Sequence, residues 1–479
     1  MEHTQVIRCE RRRWVWGLAA IAAACCLLSS VVFSPGFMSP DSLDQLGQAQ
    51  GKEPLTDWHP PVLALVWRAL IALTGTPATM ALLQCAILWA ALWVFAACVW
   101  DLTGSRPKSL AVMAIGLAPH VLTFAGVVWK DVHMAFALLA ACAVGLLGRR
   151  LPPGRPRLRW TLLAVGALLL AYAVLVRKNA VFAVIPVFVM LLRALWPTPG
   201  LRVWLASSLA LFAAVVVPGV AISAFAQPQR TGQSSQIMLD DLVHVLSVDE
   251  VEKAAEAAAT TSDFRMRLHL AAQQCEQTQT LSDTYFNCYP RDERAGAGEL
   301  ALHADELRSM WISQIPRHLP QYVQYRLQLF SLLLFKTSYQ YQFGITRNSL
   351  GLTVTHPRLE AALQTYVLGA LRDLPLLFAG WLWLAVALFL SIRPGGGALS
   401  LPVRALGMSS LAYVLGYLPI IPATDFRYLY WPALAGTLGL LLSRLQRGTT
   451  APTPETPAVQ TGQMTVRQST GPRSDQLTG

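Results

Sequence analysis

The sequence predicts an all-α polytopic membrane protein, and three observations carry that prediction. Its 479 residues are 54% hydrophobic and only 14% charged, well short of the roughly one quarter of charged residues usual in a soluble domain. The apolar residues gather into uncharged runs long enough to cross a bilayer, which takes roughly 17 to 25 residues. Lys and Arg collect at alternate ends of those runs, as the positive-inside tendency requires.

The runs follow one another as Trp14–Phe33, Pro77–Trp100, Ser109–Trp129, Val132–Gly148, Trp160–Val176, Ala180–Leu192 with its flank, and Val203–Ala226. After a long polar segment come Leu374–Ile392, Ala405–Thr424 and Tyr428–Ser443. Together they predict about ten spans. The first run follows Arg11, Arg12 and Arg13, as the apolar core of a signal peptide does. It ends in SSVVFSPGF, which lacks a small-x-small cleavage site, so it reads as a retained anchor.

Arg11 to Arg13, Arg106 and Lys108, Arg149 to Arg159, Arg193 and Arg202, Arg393 and Arg404, and Arg444 and Arg447 fall at one set of ends. This places both termini in the cytoplasm and makes the net charge of +11 mostly a topology signal. A nucleic-acid partner would call for a basic face on a soluble domain, and no such face is visible. Val62–Thr74 and Val323–Phe335 are apolar but short and carry Arg68 and Arg326. An arginine at the bilayer centre is costly, so both read as interfacial helices on the outer side.

The domains that follow are 1–226, a transmembrane module with an outer loop at 34–76; 227–373, a mainly helical outer segment; 374–447, the C-terminal transmembrane helices; and 448–479, a Thr/Pro/Gln-rich tail expected to be disordered. Cys275 and Cys288 stand in the outer segment and are consistent with a disulfide in an oxidising compartment or with free thiols. The chain has no internal repeat, P-loop, dinucleotide fingerprint, HExxH or CxxC pair.

Outside the long loop and the termini, acidic residues are few: Asp41, Asp44, Glu53, Asp57, Asp101, Asp131 and Asp425. All but Asp101 fall at outer ends of spans, and so do Lys130, Arg177, Lys178 and Arg427. Ionisable groups beside a bilayer core are costly unless paired, hydrated or useful, so this one-sided collection is the candidate site. Lys130, Asp131 and His133 share VVWKDVHMAF; Arg177, Lys178 and Asn179 share VLVRKNAVF; Asp425, Arg427 and Tyr428 share PATDFRYLYWP. Two explanations of the outer basic residues stand side by side, a phosphate-bearing ligand and plain ion pairs with the neighbouring acids. His133, among apolar neighbours, reads as packed or interfacial.

The segment SPDSLDQLGQAQGKEPLTDWHPP follows the first run. Asp41 and Asp44 are three apart and share a helix face, Asp41 is also a natural helix cap, and the paired prolines after His59 favour a helix start. With Pro40, Asp41 and Ala49 in register and His59, Pro60 and Pro61 downstream, the chain resembles the GT-C class of integral-membrane glycosyltransferases, especially the bacterial branch related to protein mannosyltransferases and aminoarabinose transferases (glycosyltransferase family 39-like). The pattern there is PDExxYxxxA followed by HPP. Here Ser42 stands for the acid and Gln45 for the tyrosine, so either Asp44 or Asp57 is left to do the work of the missing carboxylate.

What the resemblance implies is a GT-C-like bundle that takes a sugar from a polyprenyl-phosphate donor and passes it, usually with inversion, to an envelope glycan, lipid or protein acceptor at the periplasmic face of the bacterial inner membrane. The chemistry needs a carboxylate to take the acceptor's proton, for which Asp41 is the first candidate, with Asp44 and Asp57 beside it. It also needs cations for the leaving phosphate: Lys130, Arg177, Lys178 and Arg427. His59, Asp131, Asn179, Asp425 and Tyr428 are expected to orient or bind substrate. Asp57, His59 and Asp131 are weak candidates to hold a divalent metal ion. The rival readings are a lipid-linked glycan transporter, which favours midplane sites in repeated halves, and an O-antigen polymerase or ligase.

Overall fold

The computed structural model describes residues 2–447 apart from 153, 259, 282–287, 289–296, 337–340 and 393–396. The tail expected to be disordered and the charge at Arg393 therefore lie outside the described residues. Helices dominate, and the only β contacts among the described residues are isolated bridges.

Six helices are long and apolar enough to cross a membrane, or seven if one bent pair counts as a single span. They are α1 (Glu2–Val32), α4 (Thr79–Thr103), α7 (Lys130–Arg149), α8 (Pro156–Val176), α9 (Val181–Leu195) and α10 (Leu201–Ala221). The other apolar runs form a bent pair or helices of 18 residues or fewer. The run 109–129 does not form one rod: α5 (Arg106–Ala114) gives way to a 3₁₀ turn, and α6 (Pro119–Ala125) leaves at 53°. Pro119 has no amide to donate back into the preceding turn, so it starts a new helix there. Near the C-terminus α18 (Gly380–Ile392) has 13 residues and spans only about 20 Å at ~1.5 Å per residue, short of the ~30 Å hydrocarbon core. With α19 (Ser400–Gly416) and α20 (Tyr430–Arg447) it packs back on the first module, α19 against α9 and α20 against α7.

α7 is the centre of the bundle, with 83% of its apolar window buried among α4, α8, α9 and α20. Its small residues permit that crowding: a Cβ at Gly148 would come within 2.3 Å of the Leu195 side chain. α10 stands at the opposite extreme, with none of its window buried; it leans on α8 and presents Leu205, Leu209, Phe212 and Val217 outward.

Charge sorts to the two ends of the bundle. At one end Asp101 takes Arg11 at 2.7 Å and Arg150 at 2.5 Å, and Glu10 takes Arg106 at 2.9 Å. The other end carries the candidate site. There α2 (Pro40–Gln50) and α3 (Val62–Thr74) form a hairpin in which Arg68 donates to the Gln48 and Ala49 carbonyls at 2.7 and 3.1 Å. Arg68 thus closes the C-terminus of α2, whose last carbonyls have no partner within the helix.

The outer segment is helical, as expected: α11 (Gln233–Val245), α12 (Val248–Ala257), α13 (Ser262–Thr278), α14 (Ala297–Leu302), α15 (Ala304–Gln314), α16 (Leu319–Phe335) and α17 (Pro357–Asp373). Ser247 and Glu250 cap α12 reciprocally, each accepting the other's amide, the capping-box arrangement. Cys275 and Cys288 pair as a disulfide, which decides between the two readings of those cysteines.

Candidate active site

Three loop segments meet at one end of the bundle. The chain after α1 runs between two others: the Phe37 amide donates to the Gly126 carbonyl at 3.0 Å, the Val128 amide to the Phe37 carbonyl at 2.9 Å, and the Met38 amide to the Gly344 carbonyl at 2.9 Å. Only glycine fits at 126, because a Cβ there would stand 1.9 Å from the Phe33 ring. Ser42 lies fully buried and donates to the Val128 carbonyl at 2.8 Å, and Trp129 donates to the Ser39 hydroxyl at 2.7 Å. The start of α2 is thereby locked to the start of α7, which brings Asp41 near Lys130.

Asp41 sits in the first turn of α2, where the helix dipole favours a carboxylate. Its Oδ2 accepts from Arg427 Nη1 at 2.9 Å, and its Oδ1 faces His59 Nε2 at 3.9 Å. A third of the side chain remains open, at 34% exposure. Burial pushes the carboxyl upward, but the Arg427 guanidinium, with His59 and Lys130 beyond it, outweighs burial and holds it at about 2. His59 is nearly enclosed, and Lys130 Nζ lies 2.7 Å from its Nδ1. An ammonium has no acceptor capacity, so Nδ1 accepts and the imidazole proton sits on Nε2, pointing toward Asp41. Burial and then the Lys130 charge lower the imidazole to about 3, so it is neutral at pH 7.

A second layer lies behind. Arg177 donates to the buried Asp131 carboxylate at 3.0 Å and to the Tyr417 hydroxyl at 2.7 Å, with its guanidinium 4.9 Å from the Tyr428 ring centre. Tyr417 and Tyr428 stack at 5.2 Å. Arg427 also takes Asp425, Nε to Oδ2 at 3.1 Å, and lies over the Trp129 and Tyr428 rings, each at 5.3 Å. Asp425 in turn accepts the Arg427 amide at 3.0 Å and caps the turn that carries it.

Asp41, His59, Lys130, Asp131, Arg177, Asp425, Arg427 and Tyr428 therefore converge, with Asn179 at their edge, and three expected site residues stand apart from them. Asp44 is exposed and accepts from Gln48 at 2.8 Å within its own helix. Asp57 Oδ1 is taken by the amide and hydroxyl of Thr231 at 2.7 and 2.6 Å, tying the loop to the outer segment. Lys178 is exposed at the head of the turn Lys178–Ala180 and makes no ion pair among the described residues. Asn179 follows it in that turn, half-buried, and its side chain lies against the Tyr417 hydroxyl.

Asp44 and Asp57 thus each have a partner of their own, and Ser42 joins α2 to the 127–129 loop. Asp57, His59 and Asp131 are likewise committed to three different partners. As a trio they form no cation cage, and the one cluster of ligand-type side chains among the described residues is His244 with the bridged Cys275 and Cys288. A cavity of about 440 Å³ bordered by His244, Glu276, Gln279 and Gln328 lies in the outer segment, and none of the converging residues lines it.

Trp129, Tyr413 and Tyr417 complete the site without having been expected. Tyr417 and Tyr413, whose hydroxyls lie 3.0 Å apart, fall inside the apolar run 405–424, where a tyrosine passes as packing.

No family model matches the chain, and no curated protein matches it. Two solved structures do. The crystal structure of ArnT from Cupriavidus metallidurans bound to undecaprenyl phosphate is 15% identical, with a TM-score of 0.32 over 90% of this chain and 78% of that one. The apo form of ArnT gives 14% identity and a TM-score of 0.31 over the same shares.

Proposed function

We propose that this protein is a membrane glycosyltransferase that moves a sugar from a polyprenyl-phosphate donor to a hydroxyl of an envelope glycan, lipid or protein, with Asp41 as general base. The supporting observation is a partly open carboxylate set against cations at one end of an apolar bundle. Three carboxylates and three cations converge there, yet their pairing is uneven. Arg177 is paired with Asp131 and Tyr417, and Arg427 pairs with both Asp41 and Asp425. Lys130 faces a neutral imidazole and forms no ion pair among the described residues. Plain ion pairing thus accounts for the two arginines and leaves the lysine charge for a ligand anion, with Arg427 second. Arg177 has a supporting role on this reading.

The acceptor hydroxyl gives its proton to the free Oδ1 of Asp41 as its oxygen bonds to the anomeric carbon. The bond from that carbon to the donor phosphate breaks, its electron pair stays on the phosphate oxygen, and the polyprenyl phosphate leaves beside Lys130. A single displacement inverts the anomeric centre. Cations fixed in a poorly hydrated site stabilise the charge as it develops. A carboxyl held at about 2 is a weak base, since general bases work best near ambient pH. Donor phosphate drawing on Lys130 and Arg427 raises it, so the base gains strength when the donor is bound. The site faces the periplasm on this reading, with both termini cytoplasmic.

The test uses sealed vesicles containing the purified chain and polyprenyl-phosphate sugars extracted from the producing cells. Release of sugar-free polyprenyl phosphate together with a glycosylated acceptor supports the reading. Passage of intact donor lipid between leaflets without cleavage supports a transporter and overturns it. Transfer of an oligosaccharide with release of a diphosphate overturns it in favour of a polymerase or ligase.

A further inference from the structure

We propose that Asp241 and Arg326 act as a positioning pair that fixes the 417–428 loop and so keeps Arg427 on Asp41. This rests on the transferase reading only for its catalytic consequence.

The loop leaves α19 at Gly416 and ends in the turn Phe426–Leu429. It carries Tyr417, Asp425 and Arg427, yet Pro419 and Pro422 in GYLPIIPATDFRY have no amide to donate. The Ile421 carbonyl, mid-loop on a buried residue, accepts from Arg326 Nη1 at 3.2 Å. The same guanidinium reaches Asp241 Oδ1 through Nη2 at 2.7 Å, and Asp241 Oδ2 accepts from Trp311 at 2.8 Å. Tyr322 and Tyr325 flank it, with ring centres 5.7 and 5.5 Å away. Three outer helices, α11 with Asp241, α15 with Trp311 and α16 with Arg326, thus clamp one carbonyl of the loop.

Arg326 is 3% exposed and Asp241 1%. A pair this buried adds little stability over apolar residues of the same volume. What it adds is direction: the planar guanidinium fork holds two partners at a fixed angle, which neither methionine nor lysine reproduces. Neither residue of the pair contacts Asp41. Their effect runs through the loop to Arg427, which meets Asp41 and Asp425 and lies against Tyr428, while Asp41 is faced by Arg427, His59 and Lys130 and, on its own helix, by Asp44.

The experiment uses the full chain in lipid nanodiscs, as wild type, Arg326→Lys, and the double variant Asp241→Leu with Arg326→Met, which keeps the volume and removes both charges. Hydrogen exchange read by mass spectrometry reports the loop without needing activity. The pair acting as proposed, peptides covering 417–428 exchange about tenfold faster in both variants while α7 keeps its protection. Unchanged exchange in a folded Arg326→Lys overturns the proposal.

The pH profile of kcat/KM, with polyprenyl-phosphate sugars from the producing cells as donor, reports the consequence. Its acid limb moves up by about one unit as Arg427 loosens from Asp41, and Arg427→Gln added to either variant places it where Arg427→Gln alone does. An acid limb that stays in place while overall activity falls also overturns the proposal, because a merely structural loss lowers activity at every pH alike. Wild type that consumes no donor counts against the transferase reading, and the exchange arm still decides the positioning.

Discussion

Arg427 Nη1 lies 2.9 Å from Asp41 Oδ2, a contact between residues 386 apart in the chain. It joins the start of the first outer helix to the turn before the last helix of the bundle, and it sets the proton affinity of the carboxylate. A neighbouring cation favours the ionised form, so removing it raises the carboxyl above its present value of about 2 toward or past the ordinary ~3.9. In Arg427→Gln the acid limb of kcat/KM moves to higher pH by one to two units, roughly the effect of one adjacent charge. Steady-state rates from about pH 2 to 6, the window that holds both limbs, check this, and an acid limb shared with wild type removes Arg427 as the residue that tunes Asp41.

Lys130 is assigned to the donor phosphate because it is the cation with no carboxylate in the cluster. Lys130→Ala therefore raises KM for the polyprenyl-phosphate donor by about tenfold or more, about 1.4 kcal/mol for each factor of ten, and leaves KM for the acceptor within a factor of two or three. Separate titrations of the two substrates measure the split. Equal losses on both count against phosphate contact.

Asp131 and Arg177 form the opposite case, a buried pair with side-chain exposures of 2% and 11%. Arg177→Met strands a carboxylate and costs about 3 to 5 kcal/mol. Asp131→Leu combined with Arg177→Met recovers most of that, since the lone charge is gone. Unfolding in detergent reads both. If the single and double variants unfold together, the pair does not set stability and Arg177 regains a place among the phosphate ligands.

Orientation is checked by labelling. Lys52 lies at the end of the bundle that holds Asp41, and Arg155 precedes α8 at the other. In intact cells a membrane-impermeant thiol reagent labels Lys52→Cys, and labels Arg155→Cys only after permeabilisation. The reverse pattern puts the site in the cytoplasm.

Sequence reading reached the site through compact charged groups. Asp41 in SPDSLDQ, His59 in WHPP, Lys130 and Asp131 in WKD, Arg177 in VRKN and Arg427 in DFRY each stand beside an apolar run, and all five segments meet. What spacing does not reveal is a side chain's local partner. Asp44 and Asp57 look like Asp41 in sequence, but Gln48 occupies one and Thr231 the other. Tyr417 was hidden by its apolar surroundings. Arg326 looked too costly to bury because its partner, Asp241, is 85 residues away. The bend at Pro119 was hidden for a related reason: hydropathy sums composition, and a proline breaks a run without making it polar.

The central claim is that Asp41 carries sugar transfer. Mass spectrometry of envelope glycans, lipids and proteins compares cells making wild type, cells making Asp41→Asn at matched membrane abundance, and a deletion strain. The account predicts a sugar-sized mass on one acceptor in wild type and its loss, by a factor of about 10² to 10⁴, in both Asp41→Asn and the deletion. An Asp41→Asn profile identical to wild type, with the deletion differing from both, would contradict it.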